Sequence, residues 1–248
     1  MSRNGVFRQL FVLTMRQALG RRRAVIAVLA GAIPVLVAVI YRLVSGEDPQ
    51  GWSADLLNGI VVTTLLPLVA LIFGTSVLGG EIEDGTIVYL LVRPVPRREI
   101  VAAKILVAAT TTTVIVGVSA AVALLVSLPG SAGYGLVVAS VVGIAWGALI
   151  YATIAVVLSL FTTHALIVGL IYVYLWEGVI AGLFAGTRLA SVHQYVLGVA
   201  AALDPIQPSA LPAHLSLAGS VGLGALVAGA ATVLAVWRLA GFEVAERP

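Results

Sequence analysis

The sequence predicts an all-α polytopic membrane protein with six transmembrane helices. Hydrophobic residues make up 60% of the 248 positions and charged residues only 10%, against about 25% charged in an ordinary soluble domain. A soluble chain of this length would lack the polar surface to cover its core, and the mean hydropathy of +1.11 agrees. Six apolar runs, at 24–41, 59–78, 105–128, 134–161, 165–186 and 215–237, each approach or exceed the roughly 20 helical residues that cross a bilayer core. The basic residues fall almost entirely between alternate runs, as the positive-inside rule requires.

Residues 1–23 carry Arg3, Arg8, Arg16 and the run Arg21, Arg22, Arg23 without an acid. Phe7, Phe11, Met15, Ala18 and Leu19 recur at helical spacing with Arg8 and Arg16 mostly turned away. This suits a helix lying in the membrane interface, its arginines among anionic headgroups; a basic, partly ordered tail is the plainer alternative. A cleaved signal peptide is not expected, because the apolar core is too long and no small-residue cleavage site follows Tyr41. The first span, 24–41, contains Pro34, which neighbouring helices in lipid tolerate. A polar interval, 42–58, precedes the second span. Pro129, Gly130, Ser131, Ala132 and Gly133 read as a turn between spans three and four, and Thr162, Thr163 and His164 break the chain before span five. Pro205, Pro208 and Pro212 mark the amphipathic interval 187–214 before span six.

Six spans put both termini on one side. Taking it as cytoplasmic places there Arg3, Arg8, Arg16, Arg21, Arg22, Arg23, Arg93, Arg97, Arg98, Lys104, Arg238 and Arg247 of the 14 basic residues, leaving Arg42 and Arg188 outside.

No catalytic constellation is expected. The histidines His164, His193 and His214 are scattered, without HExxH. No GxSxG nucleophile motif and no GxxxxGK[ST] phosphate loop occur. The absence of cysteine removes disulfides, thiolate metal sites and thiol catalysis. No metal site and no nucleic-acid partner are expected.

Glu177 is the only charged residue within the six spans, with Trp176, Tyr172 and Tyr174 before it. A carboxylate at that depth costs a few kcal/mol unless paired, protonated or exposed to a polar cavity. Two roles fit: a wall residue of a transport path, or a clasp that holds the 187–214 interval or a neighbouring helix by hydrogen bonds. The run Thr110 to Thr113, and Thr63, Thr64, Thr75 and Ser76, read as packing at least as readily as a conduit. Gly219, Gly222, Gly224 and Gly229 read as close helix contacts.

The most informative stretch is 79–104. It concentrates Glu81, Glu83, Asp84, Arg93, Arg97, Arg98, Glu99 and Lys104 around the apolar run from Ile87 to Val92, which Pro94 and Pro96 close. A solvated loop has no reason to hold six apolar residues in a row, whereas a short helix between the membrane and a partner does; an ordinary amphipathic connector is the alternative. The residues Glu81, Glu83, Gly85, Thr86, Leu90, Leu91, Pro94, Arg97, Ile100 and Lys104 form a pattern that resembles the signature between spans two and three of type 2 ABC-transporter permeases.

The resemblance implies a permease subunit, an exporter, that forms a pathway as a dimer of identical or related chains. It implies a coupling helix in 79–104 seated on a separate ATP-hydrolysing subunit, which holds the ATP and Mg. Glu81 and Glu83 would lie on or beside that helix, with Pro94 and Arg97 at the entry to span three. Short re-entrant helices would occupy the 187–214 interval, in a bacterial cytoplasmic membrane. No role in the family's motif attaches to Glu177. The competing classes are an ATP-independent secondary transporter or channel, which would show repeated spans and paired intramembrane charges, and a non-transporting assembly factor. On the resemblance, Glu81→Lys is expected to uncouple the ATPase and leave membrane insertion intact.

Overall fold

Asp48 and Pro49 begin the second long helix well before hydropathy alone places it. In the computed structural model, Asp48 has the left-handed φ of 43° and caps the helix by accepting the Gly51 amide at 3.1 Å through Oδ1. Pro49 takes the first helical position, where no amide is needed. The polar interval 42–58 is therefore mostly helix where it is described. Its polar residues are accommodated: the buried hydroxyls of Ser53 and Ser127 share a hydrogen bond of 2.8 Å.

The structure describes residues 11–15, 20–44, 48–83, 85, 96–128, 131–180, 189–204 and 211–241, with the backbone alone at 21–24, 83, 131–133 and 180. Among the described residues there are eight α-helices and no strand: α1 (Arg21–Val44), α2 (Pro49–Asp55), α3 (Leu66–Glu83), α4 (Arg97–Ser127), α5 (Ser131–Phe161), α6 (Ala165–Ile171), α7 (Val192–Leu203) and α8 (Leu217–Ala240). Residues 11–15 form a further helical turn. A π-helical stretch, Leu56–Leu65, joins α2 to α3, and a second, Tyr172–Ile180, extends α6. Pro67 lies two residues beyond the first of these and cannot donate to the carbonyl four residues back, a defect that local π geometry and hydroxyls relieve in membrane helices. Within the π-helical stretch the Thr63 hydroxyl donates to the Asn58 carbonyl at 2.7 Å, five residues back.

Among the described residues, five helices are long and apolar enough to cross a membrane: Val25–Val44, Pro49–Ile82, Arg97–Ser127, Tyr134–Phe161 and Leu217–Ala240. The expected crossing at 165–186 is described only to Ile180. Its apolar part, Ala165–Val179, rises about 22 Å at 1.5 Å per residue, short of the roughly 30 Å core. The expected turn over Pro129 to Gly133 is also shorter, since α5 starts at Ser131. The expected interfacial helix over 1–23 lies largely outside the described residues. Where it is described, Phe11 and Met15 pack against the core and Thr111 donates its hydroxyl to Met15 Sδ at 3.2 Å.

α5 is the axis of the bundle, packed against α3, α4, α6, α7 and α8, with Ile144, Ile150 and Tyr151 fully buried. Small residues bring its neighbours close. A Cβ on Gly143 would stand 2.8 Å from the Val196 carbonyl oxygen, and one on Gly147 would meet Val196 Cγ2 at 2.3 Å. α1 lies along α4, where the Ser119 hydroxyl donates to the Gly31 carbonyl one turn before Pro34. Only 17% of the apolar windows of α1 and α8 is buried, against 61% for α5, so these two helices form the periphery. On α8, Gly224 touches Trp146, but Gly222 and Gly229 meet nothing and Gly219 approaches only its own cap, Ser216. Those three are not helix contacts, because they lie away from the face that α8 turns to α5.

Gly143→Val is expected to lower stability by about 1–3 kcal/mol, the usual cost of overpacking against a backbone that cannot yield. Thermal unfolding of the detergent-solubilised chain measures this; an unchanged midpoint would contradict the close α5–α7 contact.

Candidate functional site

The helix ends bordering 84–96 are tied together by charges. Glu81, in the last turn of α3, accepts from Lys104 Nζ on α4 at 2.5 Å. The Lys104 side chain is only 3% exposed and that of Glu81 20%. Lys104 lies seven residues into α4, so the pair sits about 10 Å along that helix from its start. Arg97, at the first turn of α4, donates to the carbonyl of Ala240, the last residue of α8, where carbonyls lack helical partners and a cation is favoured. Arg238 stands over the Phe161 ring, 5.2 Å from its centroid. Three charge-based contacts thus join α3 to α4, α4 to α8 and α8 to α5 at one end of the bundle. Ile100 is buried beneath them.

Beside this end, a cavity of about 250 Å³ opens between α3, α5 and α6, lined by Thr75, Ser76, Ser159, Thr162 and Thr163 among others. Several of these hydroxyls bond to their own helices: Thr75 donates to Leu71, Ser76 to Phe73 and Ser159 to Val156. The run Thr110 to Thr113 behaves similarly. Thr110 and Thr113 bond back to α4 carbonyls, and Thr111 reaches Met15.

The opposite end is held by an aromatic stack, an arginine and a histidine–asparagine contact, without an ion pair among these contacts. Tyr41 and Trp52 stack with centroids 3.8 Å apart. Arg42 reaches the Ser127 carbonyl at 3.5 Å, and His193 Nε2 meets Asn58 Oδ1 at 2.9 Å. Between the two ends stands Glu177, in the π-helical stretch after α6. One carboxylate oxygen accepts the Tyr151 hydroxyl of α5, and the other accepts the Val192 amide at the start of α7 at 2.7 Å. Tyr172 packs against the hydrophobic core, and Trp176 is half-buried.

Of the residues singled out in the 79–104 stretch, Glu81, Arg97, Ile100 and Lys104 are described with side chains. Gly85 has a positive φ of 67° and its amide donates to the Ile82 carbonyl at 3.2 Å, a turn that leads the chain off the end of α3. Glu83 ends α3. Thr86, Leu90, Leu91 and Pro94 lie outside the described residues, and so does the expected coupling helix. Within the interval 187–214, α7 is described and 205–210 lie outside. The sequence did not pair Glu81 with Lys104, nor Tyr151 and Val192 with Glu177. No local spacing encodes partners that lie on different spans.

Among the described residues, five long apolar helices, one of them the buried axis, with an ion pair at one end and one carboxylate between the ends, define a polytopic integral membrane protein. The family model described as ABC-2 family transporter protein matches residues 19–191, and the chain belongs to that family. It is accordingly a membrane permease rather than a catalytic ATPase subunit, and permeases of this family generally work with a separate ATPase subunit. A comparison with curated proteins finds no match. Among the described residues no group of three His, Cys, Asp or Glu is placed to hold a metal ion.

The internal pairing changes what Glu81 substitutions test. Glu81→Lys sets two ammonium groups against each other, so a folding defect is expected together with any uncoupling. Lys104→Ala, which removes the cation that faces the Glu81 carboxylate, is expected to cost about 1.5–3 kcal/mol, the usual loss for one hydrogen bond to a charged group. The exchange Glu81→Lys with Lys104→Glu is expected to recover part of that loss. A double-mutant cycle on thermal stability checks both; an exchange no more stable than the worse single variant would contradict the pairing.

Proposed function

We propose that this permease is the membrane subunit of an exporter in which two copies, identical or related, form the pathway and two ATPase subunits bind the charged end. That end faces the cytoplasm, together with both termini, in a bacterial cytoplasmic membrane. α6 and its π-helical extension belong to the fifth of six crossings. ATP and Mg act in the partner subunit.

The single observation that carries this reading is the Glu81–Lys104 pair. It ties together the helix ends that flank residues 84–96, so a force applied to that segment moves α3 and α4 as one body. The basic residues support the orientation, with 12 of 14 on the proposed cytoplasmic side. Gly59, Thr63 and Thr64, exposed on the π-helical stretch, support a pathway between copies, since polar surface at bilayer depth suits a cavity better than lipid. Closure of the ATPase pair on ATP would then shift the spans between two arrangements. Amphipathic or hydrophobic molecules are the substrate class that fits, entering beside the hydroxyl-lined cavity between α3, α5 and α6.

The test uses a phosphate-loop ATPase, to be sought in the neighbouring reading frame. Wild type is expected to co-purify with it and to change its rate of ATP hydrolysis. Glu83→Lys and Leu90→Asp, placed in the segment that the family signature assigns to coupling, are expected to weaken co-purification by about tenfold, the loss of one strong interface contact, with insertion unchanged. Undiminished co-purification and hydrolysis in both variants would place the ATPase contact elsewhere.

A further inference from the structure

A carboxylate at bilayer depth needs a reason, and the start of α7 supplies one. The first four amides of a helix have no partner within it, and in lipid no water stands in for the missing acceptor. Ser191 occupies the cap position of α7 but its side chain makes no capping bond. Glu177, fifteen residues back, accepts the Val192 amide instead. Its second oxygen is held by the Tyr151 hydroxyl, so one side chain joins its own helix to α5 and α7. The carboxyl group also faces the positive end of the α7 dipole, which favours its ionised form.

A second polar contact stands beside it, His193 Nε2 to Asn58 Oδ1 at 2.9 Å; the other contacts of α7 act across its axis or farther along it. Gly143 and Gly147 of α5 receive Val196 and Ala200, and Gly198 lies against Ser220 of α8. Gln194 Oε1 accepts the His214 amide at 3.2 Å. Smooth small-residue contacts of this kind hold helices close but resist sliding weakly. The bond from Glu177 to the first amide is directed along the helix.

We propose that Glu177 is a positioning residue, the remote N-cap of α7, and that the axial register of α7 against α5 and α8 depends on its carboxylate. The function of that register, holding the ends of the bundle opposite the ATPase in one arrangement, rests on the permease reading. The cap itself does not. Tyr151 is the second half of the device, because its hydroxyl fixes the rotamer from which Glu177 reaches Val192.

Hydrogen exchange on the full chain in lipid nanodiscs, without the ATPase, reads the cap directly. Glu177→Leu fills the site but offers no acceptor, and is expected to speed exchange over residues 192–195 by about tenfold, the loss of one protecting hydrogen bond to a charged group. Glu177→Gln retains an acceptor oxygen and is expected to restore most of the protection. Tyr151→Phe is expected to fall between the two. Exchange in the middle of α4 serves as the folding reference and stays constant in all three. Equal protection in the Leu and Gln variants would show that the side chain acts by packing alone and would overturn the proposal. So would faster exchange spread evenly over α4 and α7. Failure of the wild-type chain to stimulate the ATPase, with the Leu and Gln variants differing in exchange as expected, would count against the permease mechanism and leave the cap standing.

Discussion

Lipid offers no hydrogen bonds, and this structure is shaped by the need to supply them from within. Backbone groups freed at a helix start or beside a proline cost several kcal/mol each if left bare in hydrocarbon. Glu177 answers that requirement for the start of α7, and the Ser119 hydroxyl meets the α1 backbone close to Pro34. Thr63 does the same within the π-helical stretch ahead of Pro67. Arg97 serves the last carbonyls of α8. Each of these side chains spends its polar group on a backbone atom rather than on another side chain.

The same requirement separates the two ends of the bundle. At one end, charges are paired across helices: Glu81 with Lys104, Arg97 with the end of α8, Arg238 with Phe161. At the other, hydroxyls, an aromatic stack and a neutral amide–imidazole contact hold α1, α2, α4 and α7. A buried ion pair is strongly destabilised when one partner is lost, although it adds little net stability over a well-packed apolar pair. Its value here is geometric, since it fixes one register between α3 and α4. The helices therefore enter and leave the segment 84–96 from a rigid frame.

How much of this was legible in the sequence depended on whether the signal was local. The apolar runs at 105–128 and 134–161 became α4 and α5 because length and uncharged composition suffice to specify a buried crossing. The start of the second crossing was also written locally, in Asp48-Pro49, but Asp55 and Gln50 made hydropathy read it as a polar interval. The 79–104 stretch was recognisable because its charges and prolines stand at fixed spacing, and the family match over 19–191 agrees with it. The partners of Lys104 and Glu177 were not legible, since they lie 23 and 26 residues away on other helices and no periodicity sets the register between spans. Glycines show the same limit: Gly143 and Gly222 look alike in sequence, and only the facing helix decides that one touches Val196 and the other nothing.

The central claim is that the ion-paired end faces the cytoplasm and the end of α7 faces the opposite side. Because the chain has no cysteine, single cysteines report sidedness without background. Thr163, in the turn after α5, and Leu203, at the end of α7, are both exposed. With a membrane-impermeant maleimide, Leu203→Cys is expected to label in intact cells, and Thr163→Cys only after permeabilisation. Labelling of both from the same side, or in the reverse order, would contradict the account.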